Sequence, residues 1–215
     1  MKPKPIILVG GGGHCKSVID LIITTGLFKI GGIVDIKEKV GQEIMGIPII
    51  ASDQELDSLR KKYDFFAVTI GQIQSSALRK KFFDILLSIK AELPSIIAPT
   101  AHISSFALVG TGSMVFHKAI VNADAVIGNN CIINNMALVE HDTKIMDHCH
   151  ISTAAVLNGN VNVGEGSFIG SNACVRQGVR IGSYAIIGAG SLVLKDVNPG
   201  EMVGGIPAQI LRKHG

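Results

Sequence analysis

A chain of 215 residues with 47% hydrophobic and 17% charged side chains builds packed cores, in one large domain or two small ones. Its net charge of +3, from 20 basic and 17 acidic residues, is too mild for a nucleic-acid footprint but does not oppose phosphate-bearing ligands. No apolar run is long enough to cross a membrane, and Met1 to Lys4 lead into a strand rather than a signal peptide, so the expected compartment is the cytoplasm.

In chain order, Ile6–Val9 is a short apolar strand that runs into Gly10, Gly11, Gly12, Gly13 and His14. Val18, Leu21 and Ile22 then recur at helical spacing as far as Gly26. A second strand, Ile30–Val34, ends at Asp35, and Ile47–Ile50 reads as an edge strand. A helix is expected over Asp53–Lys62, capped by Ser52 or Asp53, then a strand from Phe65 that stops at Gly71. The segment Ser76–Lys90 predicts a helix with Leu78, Phe82, Ile85, Leu86 and Ile89 on its apolar face. Strands alternating with helices imply a small parallel sheet.

Pro94 and Pro99 bracket a change of pattern, which divides the chain into residues 1–95 and 96–215. Every sixth residue from Ile97 to Val193 is Ile, Val or Leu, and the fourth residue after each is small or modest, such as Ala119, Cys131, Thr143 or Ser167. Self-similarity at a short fixed period marks a solenoid. The even spacing between the two positions points both inward on a strand, and the Gly, Asn and Asp between them turn the chain. The geometry that fits is a triangular coil, one short strand and one corner per hexad and three hexads per turn. Cys131 and Cys149 fall in the small interior position, so buried, reduced thiols are expected.

Two stretches carry chemistry. A strand, glycines and a helix N-terminus together make an anion site, because the backbone can approach a phosphate and the helix offers free N–H groups. The match to GxGxxG is partial, with Gly10 and Gly12 in place and Cys15 at the third position. Asp35, at the end of the next strand, is placed to accept bonds from a ribose or a base edge. His14 either contacts a ligand or caps the helix. The second stretch is Val139-Glu140-His141-Asp142, beside a corner of the coil. A carboxylate next to an imidazole holds one tautomer, and acylating an amine or alcohol needs a base of that kind. Either Asp142 or Glu140 can be the orienting group. Of the remaining histidines, His102, His117 and His214, His117 reads as a surface residue. His148 and His150 could chelate zinc, but the expectation is no metal.

Taken together the chain resembles the bacterial sugar acyltransferases that include sialic acid O-acetyltransferases and N-acetyltransferases of nucleotide-linked 4-amino-6-deoxy sugars. The resemblance spans the chain and rests on Leu8-Val9-Gly10-Gly11-Gly12-Gly13-His14, Asp35, Thr69-Ile70-Gly71, Asn134, Val139-Glu140-His141-Asp142, His150 and Val203-Gly204-Gly205-Ile206-Pro207-Ala208. It implies a Rossmann-like α/β domain followed by a left-handed parallel β-helix of hexapeptide repeats. It implies a homotrimer with active sites between adjacent coils, acetyl-CoA as donor, and a nucleotide-linked amino sugar as acceptor, for bacterial glycan or O-antigen synthesis. His141 would be the general base, Asp142 its partner and Asn134 a supporting active-site residue. His150 would lie near the thioester carbonyl, and Gly159, Ser171 and Ala189 along the CoA groove, with Gly205 flanking the pantetheine arm. Gly12, Gly13, His14, Asp35 and Gly71 would hold the nucleotide. The coil-based carbonic anhydrases use a pair of zinc histidines five residues apart, a spacing missing among His141, His148 and His150. Where many relatives have an Asn-rich segment this chain has Gln72-Ile73-Gln74, and where they carry Met-Pro it has Phe116-His117. The expected reaction is N-acetylation, with sialic acid O-acetylation and a non-catalytic nucleotide-binding scaffold as the alternatives.

Overall fold

The computed structural model describes residues 3–213, so His214 lies outside the described residues. The chain forms two compact units. One runs to Gly71 and takes in Leu78–Ile96, and the other comprises Gln72–Ala77 and everything from Ile97 onward. The sequence gives no hint that a six-residue loop departs from the first unit.

The first unit is a five-stranded sheet of β1 (Lys4–Val9), β2 (Phe28–Asp35), β3 (Glu43–Ile44), β4 (Ile47–Ser52) and β5 (Phe65–Val68), in the order β3-β4-β2-β1-β5. All neighbours are parallel except β3 and β4. The stretch Ile47–Ile50 is therefore not the edge: the two-residue β3 covers it. Central β1 buries Ile6, Ile7, Leu8 and Val9 completely, as expected of a strand covered on both faces. Helix α1 (Gly13–Thr25) buries Cys15, Val18, Ile19, Leu21 and Ile22, and ends at Gly26 in the left-handed conformation with φ 63°. The predicted helix after Ser52 opens as a 3-10 turn and continues as α2 (Leu56–Arg60). The Ser52 N–H and hydroxyl both donate to Glu55, at 2.8 and 2.9 Å. Helix α3 (Ala77–Ser88) buries Arg79, Phe82, Phe83 and Leu86, while Leu78 is 53% exposed. Its buried face is thus rotated from the expected one, because a fully buried Arg79 takes the place an apolar residue was expected to hold.

The second unit is the coil. Two-residue strands recur every six residues from Ile96–Ile97 to Leu192–Val193, and as far as Cys174–Val175 each pairs with the strand 18 residues on. They form three sheets of six, five and eight strands, the last completed by Glu201–Gly204 and Gln209–Lys213. Every interior aliphatic position from Val115 to Val193 is buried, as is every small position from Ser113 to Val197. Burying each aliphatic side chain contributes roughly 1.5–3 kcal/mol. Hydroxyls in the small slots donate to carbonyls of the next turn: Ser113 to Gly128 at 2.7 Å, Ser167 to Gly182 at 2.8 Å. All four cysteines are free thiols. From Gly112 to Gly190 every sixth residue has positive φ, which turns each corner. Asn130, Asn160 and Asn172 tolerate this at modest cost, and Asp142 (φ 61°) occupies the same phase. No helix among the described residues is long and apolar enough to cross a membrane.

Candidate active site

In the first unit the glycine loop leaves the carboxyl end of β1. Its neighbours β2 and β5 lie on opposite sides, so the loop sits where the strand order reverses, the usual crevice for ligands in open parallel sheets. Gly10 (φ 110°) must be glycine, since a Cβ there would strike the Ile70 side chain. Gly11 donates its N–H to Asp35 Oδ2 at 2.8 Å, and Thr69 Oγ1 donates to the Gly10 carbonyl at 2.5 Å. Asp35 therefore tethers the loop, a role that was not read from the sequence. Its remaining contacts are Ile36 N–H at 2.7 Å and Lys39 Nζ at 3.0 Å. Partial burial raises the Asp35 carboxyl, but the hydrogen bonds from Ile36, Lys39 and Gly11 outweigh it and hold the group below its ordinary range.

Gly12 and Gly13 differ from their neighbours: a side chain at either would meet nothing within 4 Å. Packing does not require glycine there, whereas close approach of a ligand to the backbone would. His14 follows in the first turn of α1, and a Cβ on Gly71 would lie 3.2 Å from that of His14. Burial, with the Arg79 charge adding to it, lowers the His14 imidazole to about 4. It is uncharged at neutral pH, so any phosphate here would rely on backbone N–H groups. Gly12, Gly13, His14, Asp35 and Gly71 thus all lie at the carboxyl ends of the strands.

In the coil, His141 Nδ1 donates to Asp142 Oδ2 at 2.7 Å, with the two side chains 55% and 58% exposed. Side chains of adjacent residues on an extended strand diverge; the left-handed turn at Asp142 lets these two meet. Glu140 is engaged elsewhere, accepting from Asn122 Nδ2 at 2.8 Å, so the orienting carboxylate is Asp142. The hydrogen bond to Asp142 raises the His141 imidazole above its ordinary value against a smaller loss of solvation, and the Asp142 and Glu140 charges add to the rise. With the proton on Nδ1, Nε2 is the accepting nitrogen. One turn along the coil, Gly159 lies against this ring: a Cβ there would be 2.7 Å from both Cε1 and Nε2 of His141.

Asn134 lies not with His141 but with His150. It follows Ile132–Ile133 of the eight-stranded sheet, whereas His141 follows Leu138–Val139 of the six-stranded one, and the two corners are distinct. Asn134 Nδ2 is 3.4 Å from His150 Nε2. His150 is buried, stacks edge-on against Phe168 with centroids 5.2 Å apart, and its Nδ1 is 2.8 Å from the Gln72 carbonyl. Ser171 bonds Ser152 at 2.9 Å, and Ala189 continues the same corner one turn later, its N–H backing onto Gly170. Gly205 (φ 98°) accepts from the Leu192 N–H at 3.0 Å. His117 is half-buried rather than a surface residue, bonding Thr100 at 2.9 Å and donating its backbone N–H to Asn135 Oδ1 at 3.1 Å. His148 bonds Asn130 at 2.9 Å, and among the described residues no cluster of three or more His, Cys, Asp or Glu is arranged to hold a metal.

Two family models match the sequence: the PglD N-terminal domain over residues 5–86 and the six-repeat bacterial transferase hexapeptide over residues 160–195. Among solved structures, a His-to-Asn variant of perosamine N-acetyltransferase from Caulobacter crescentus, in complex with CoA and GDP-perosamine, is 33% identical, with 96% of each chain covered and a TM-score of 0.90. The chain belongs to the hexapeptide-repeat bacterial sugar acetyltransferases. The acetyltransferase domain of PglB from Neisseria gonorrhoeae, in complex with acetyl coenzyme A, is also 33% identical, covering 97% of this chain and all of that one (100%), with a TM-score of 0.89. WeeI from Acinetobacter baumannii is 26% identical over 97% of this chain and 100% of its own, with a TM-score of 0.83. A search of curated protein sequences found no match. The coil is accordingly a left-handed β-helix, and the chain is an acyltransferase.

Proposed function

We propose that this protein transfers the acetyl group of acetyl-CoA to the amine of a nucleotide-linked 4-amino-4,6-dideoxy sugar, with His141 as general base. The observation that carries this reading is the exposed His141–Asp142 pair, 2.7 Å apart, whose accepting nitrogen lies over a glycine. Asp142 holds the proton on Nδ1. The unprotonated amine attacks the thioester carbonyl carbon and Nε2 takes the proton shed by the tetrahedral adduct. Collapse of the adduct then breaks the C–S bond, and the CoA thiolate leaves and is protonated. Positioning the two substrates supplies as much rate as the base does, or more.

The acceptor class is supported by the GDP-perosamine in the Caulobacter structure, and the donor by the CoA and acetyl-CoA seen in the Caulobacter and Neisseria structures. The open backbone at Gly12 and Gly13, with His14, Asp35 and Gly71 beside it, is the proposed nucleotide site. Ser171, Ala189 and Gly205 would border the CoA groove.

A homotrimer fits the coil's surface. The outward column of the six-stranded sheet reads His102, Ile120, Leu138, Val156, Cys174 and Leu192, apolar after its first residue where a solvated face would be polar. The five-stranded sheet begins with Leu108 and Val126 but then presents Lys144, Asn162 and Arg180. Packing the apolar column against a neighbouring copy would bring His141 of one subunit toward the Asn134–His150 corner of the next.

The test is CoA-thiol release from acetyl-CoA with GDP-, UDP- and dTDP-linked 4-amino-4,6-dideoxyhexoses and with sialic acid. Turnover with an amino sugar is expected and names the nucleotide. Turnover with sialic acid alone would move the reaction to O-acetylation, for which the same dyad serves.

A further inference from the structure

His150 is one of two buried imidazoles of the coil, with His148, and both of its nitrogens have assigned partners. A carbonyl oxygen can only accept, so the 2.8 Å contact with the Gln72 carbonyl places the proton on Nδ1. Nε2 is then the accepting nitrogen, and it faces Asn134 Nδ2 at 3.4 Å. The orientation of that amide is independently fixed, because Asn134 Oδ1 accepts the Asn135 N–H at 2.8 Å. The edge-on ring of Phe168 sets the imidazole plane.

The Gln72 carbonyl is held by its own side chain. Gln72 is 5% exposed, and its Nε2 donates to the Gly166 carbonyl at 2.7 Å, across 94 residues of sequence. Ser76 packs on the same glycine, where a Cβ would lie 2.7 Å from its hydroxyl. These contacts explain why Gln72–Ala77 forms part of the coil unit.

We infer that Gln72 is a positioning residue for acetyl transfer: anchored on Gly166, its carbonyl locks His150 in the Nδ1–H tautomer, whose Nε2 accepts one Asn134 Nδ2 hydrogen and leaves the second as a donor toward the thioester. The step rests on the functional reading above and refines it. A neutral His150 fixed in this tautomer cannot itself donate from Nε2 to a thioester oxygen; the donor the cluster offers is the second Nδ2 hydrogen of Asn134. Polarisation of the thioester would then depend on a glutamine in a loop outside the repeat.

The test combines a spectrum with kinetics. In protein labelled with 15N-histidine, long-range 1H–15N correlation distinguishes Nδ1–H from Nε2–H imidazoles. The wild-type His150 signal, assigned by its loss in His150→Gln, is expected to be Nδ1–H. An Nε2–H signal there would overturn the proposal without any variant at Gln72. In Gln72→Met, which keeps the volume and removes the donor, the signal should move toward a mixture of tautomers. The kcat should fall about tenfold, while KM for the nucleotide sugar changes less than about twofold. Gln72→Asn, a shorter donor, should recover part of the kcat. An unchanged tautomer in folded Gln72→Met, or a change confined to the nucleotide-sugar KM, would contradict the assignment. If the wild-type enzyme transferred acetyl to no sugar, the functional reading would fail while the tautomer result stood by itself.

Discussion

The coil and the sheet unit build their sites in opposite ways. In the coil, each side chain's surroundings follow from its phase in a six-residue period. The left-handed residue that lets Asp142 reach His141 is the same device that turns every corner from Gly112 to Gly190. The His141–Asp142 pair therefore needs no special backbone, only a histidine and an acid at the right phase and a glycine one turn on. The glycine loop of the sheet unit is built once, from three strands: Gly10 packs on Ile70 after β5, Gly11 on Asp35 at the end of β2, and Thr69 bonds back to Gly10. A change in the coil should stay local, whereas a change in the loop should spread.

That contrast can be broken or sharpened by substitution. The largest effect is expected in the coil interior. Leu157→Ala should cost about 2–5 kcal/mol in urea unfolding, with amide-exchange protection lost first in the turns carrying Val139 and Val175. Uniform loss across both units would contradict a quasi-one-dimensional coil. Next come two glycines with similar crowding. Gly11→Ala places a methyl 2.6 Å from Asp35 Oδ2 and 2.8 Å from Ile44, so it should lower stability by about 1–3 kcal/mol. Gly159→Ala should press only on the exposed His141 ring, lowering kcat about tenfold with little change in the unfolding midpoint.

The imidazoles of His141 and His14 are shifted in opposite directions. The His141 pKa is raised by Asp142, and the base works only when neutral, so activity should rise with pH through that raised value. In Asp142→Asn the acid limb of the kcat profile should move to lower pH while the plateau falls about tenfold. A limb that stays in place would assign the titration to another group. His14 is depressed to about 4 against an ordinary 6.5, so the unfolded chain binds its proton first as pH falls. Its contribution to stability is full above about pH 6.5, is lost between there and about pH 4, and is worth roughly 3 kcal/mol. Arg79→Met removes the smaller cause of the shift, so the drop in urea stability from pH 7 to pH 5 should shrink modestly.

Much of this was legible because periodicity is a strong physical signal. Placing Ile97 and its successors inward fixed the three faces and the outward position of His141. The same phase also held a clue that went unread: Asp142 shares its place with Asn130, Asn160 and Asn172, residues that accept positive φ, which favours it over Glu140 as the orienting acid. The loop contacts were not legible. Gln72 meets His150 across 78 residues, and no local pattern announces a pairing of that separation. The buried Arg79 defeated the helix pattern because an amphipathic reading assigns a charge to the solvent. The tether between Gly11 and Asp35 was hidden by reading the acid as a ligand contact only.

The most direct test of the central claim is the pre-steady-state rate of acetyl transfer in His141→Ala with saturating acetyl-CoA and the nucleotide-linked amino sugar that the wild type acetylates. If His141 is the base, the rate should fall by about 10²–10⁴ with the acetyl-CoA Kd unchanged. A loss of less than about threefold would show that the proton leaves by another route and that the His141–Asp142 pair is not the catalytic centre.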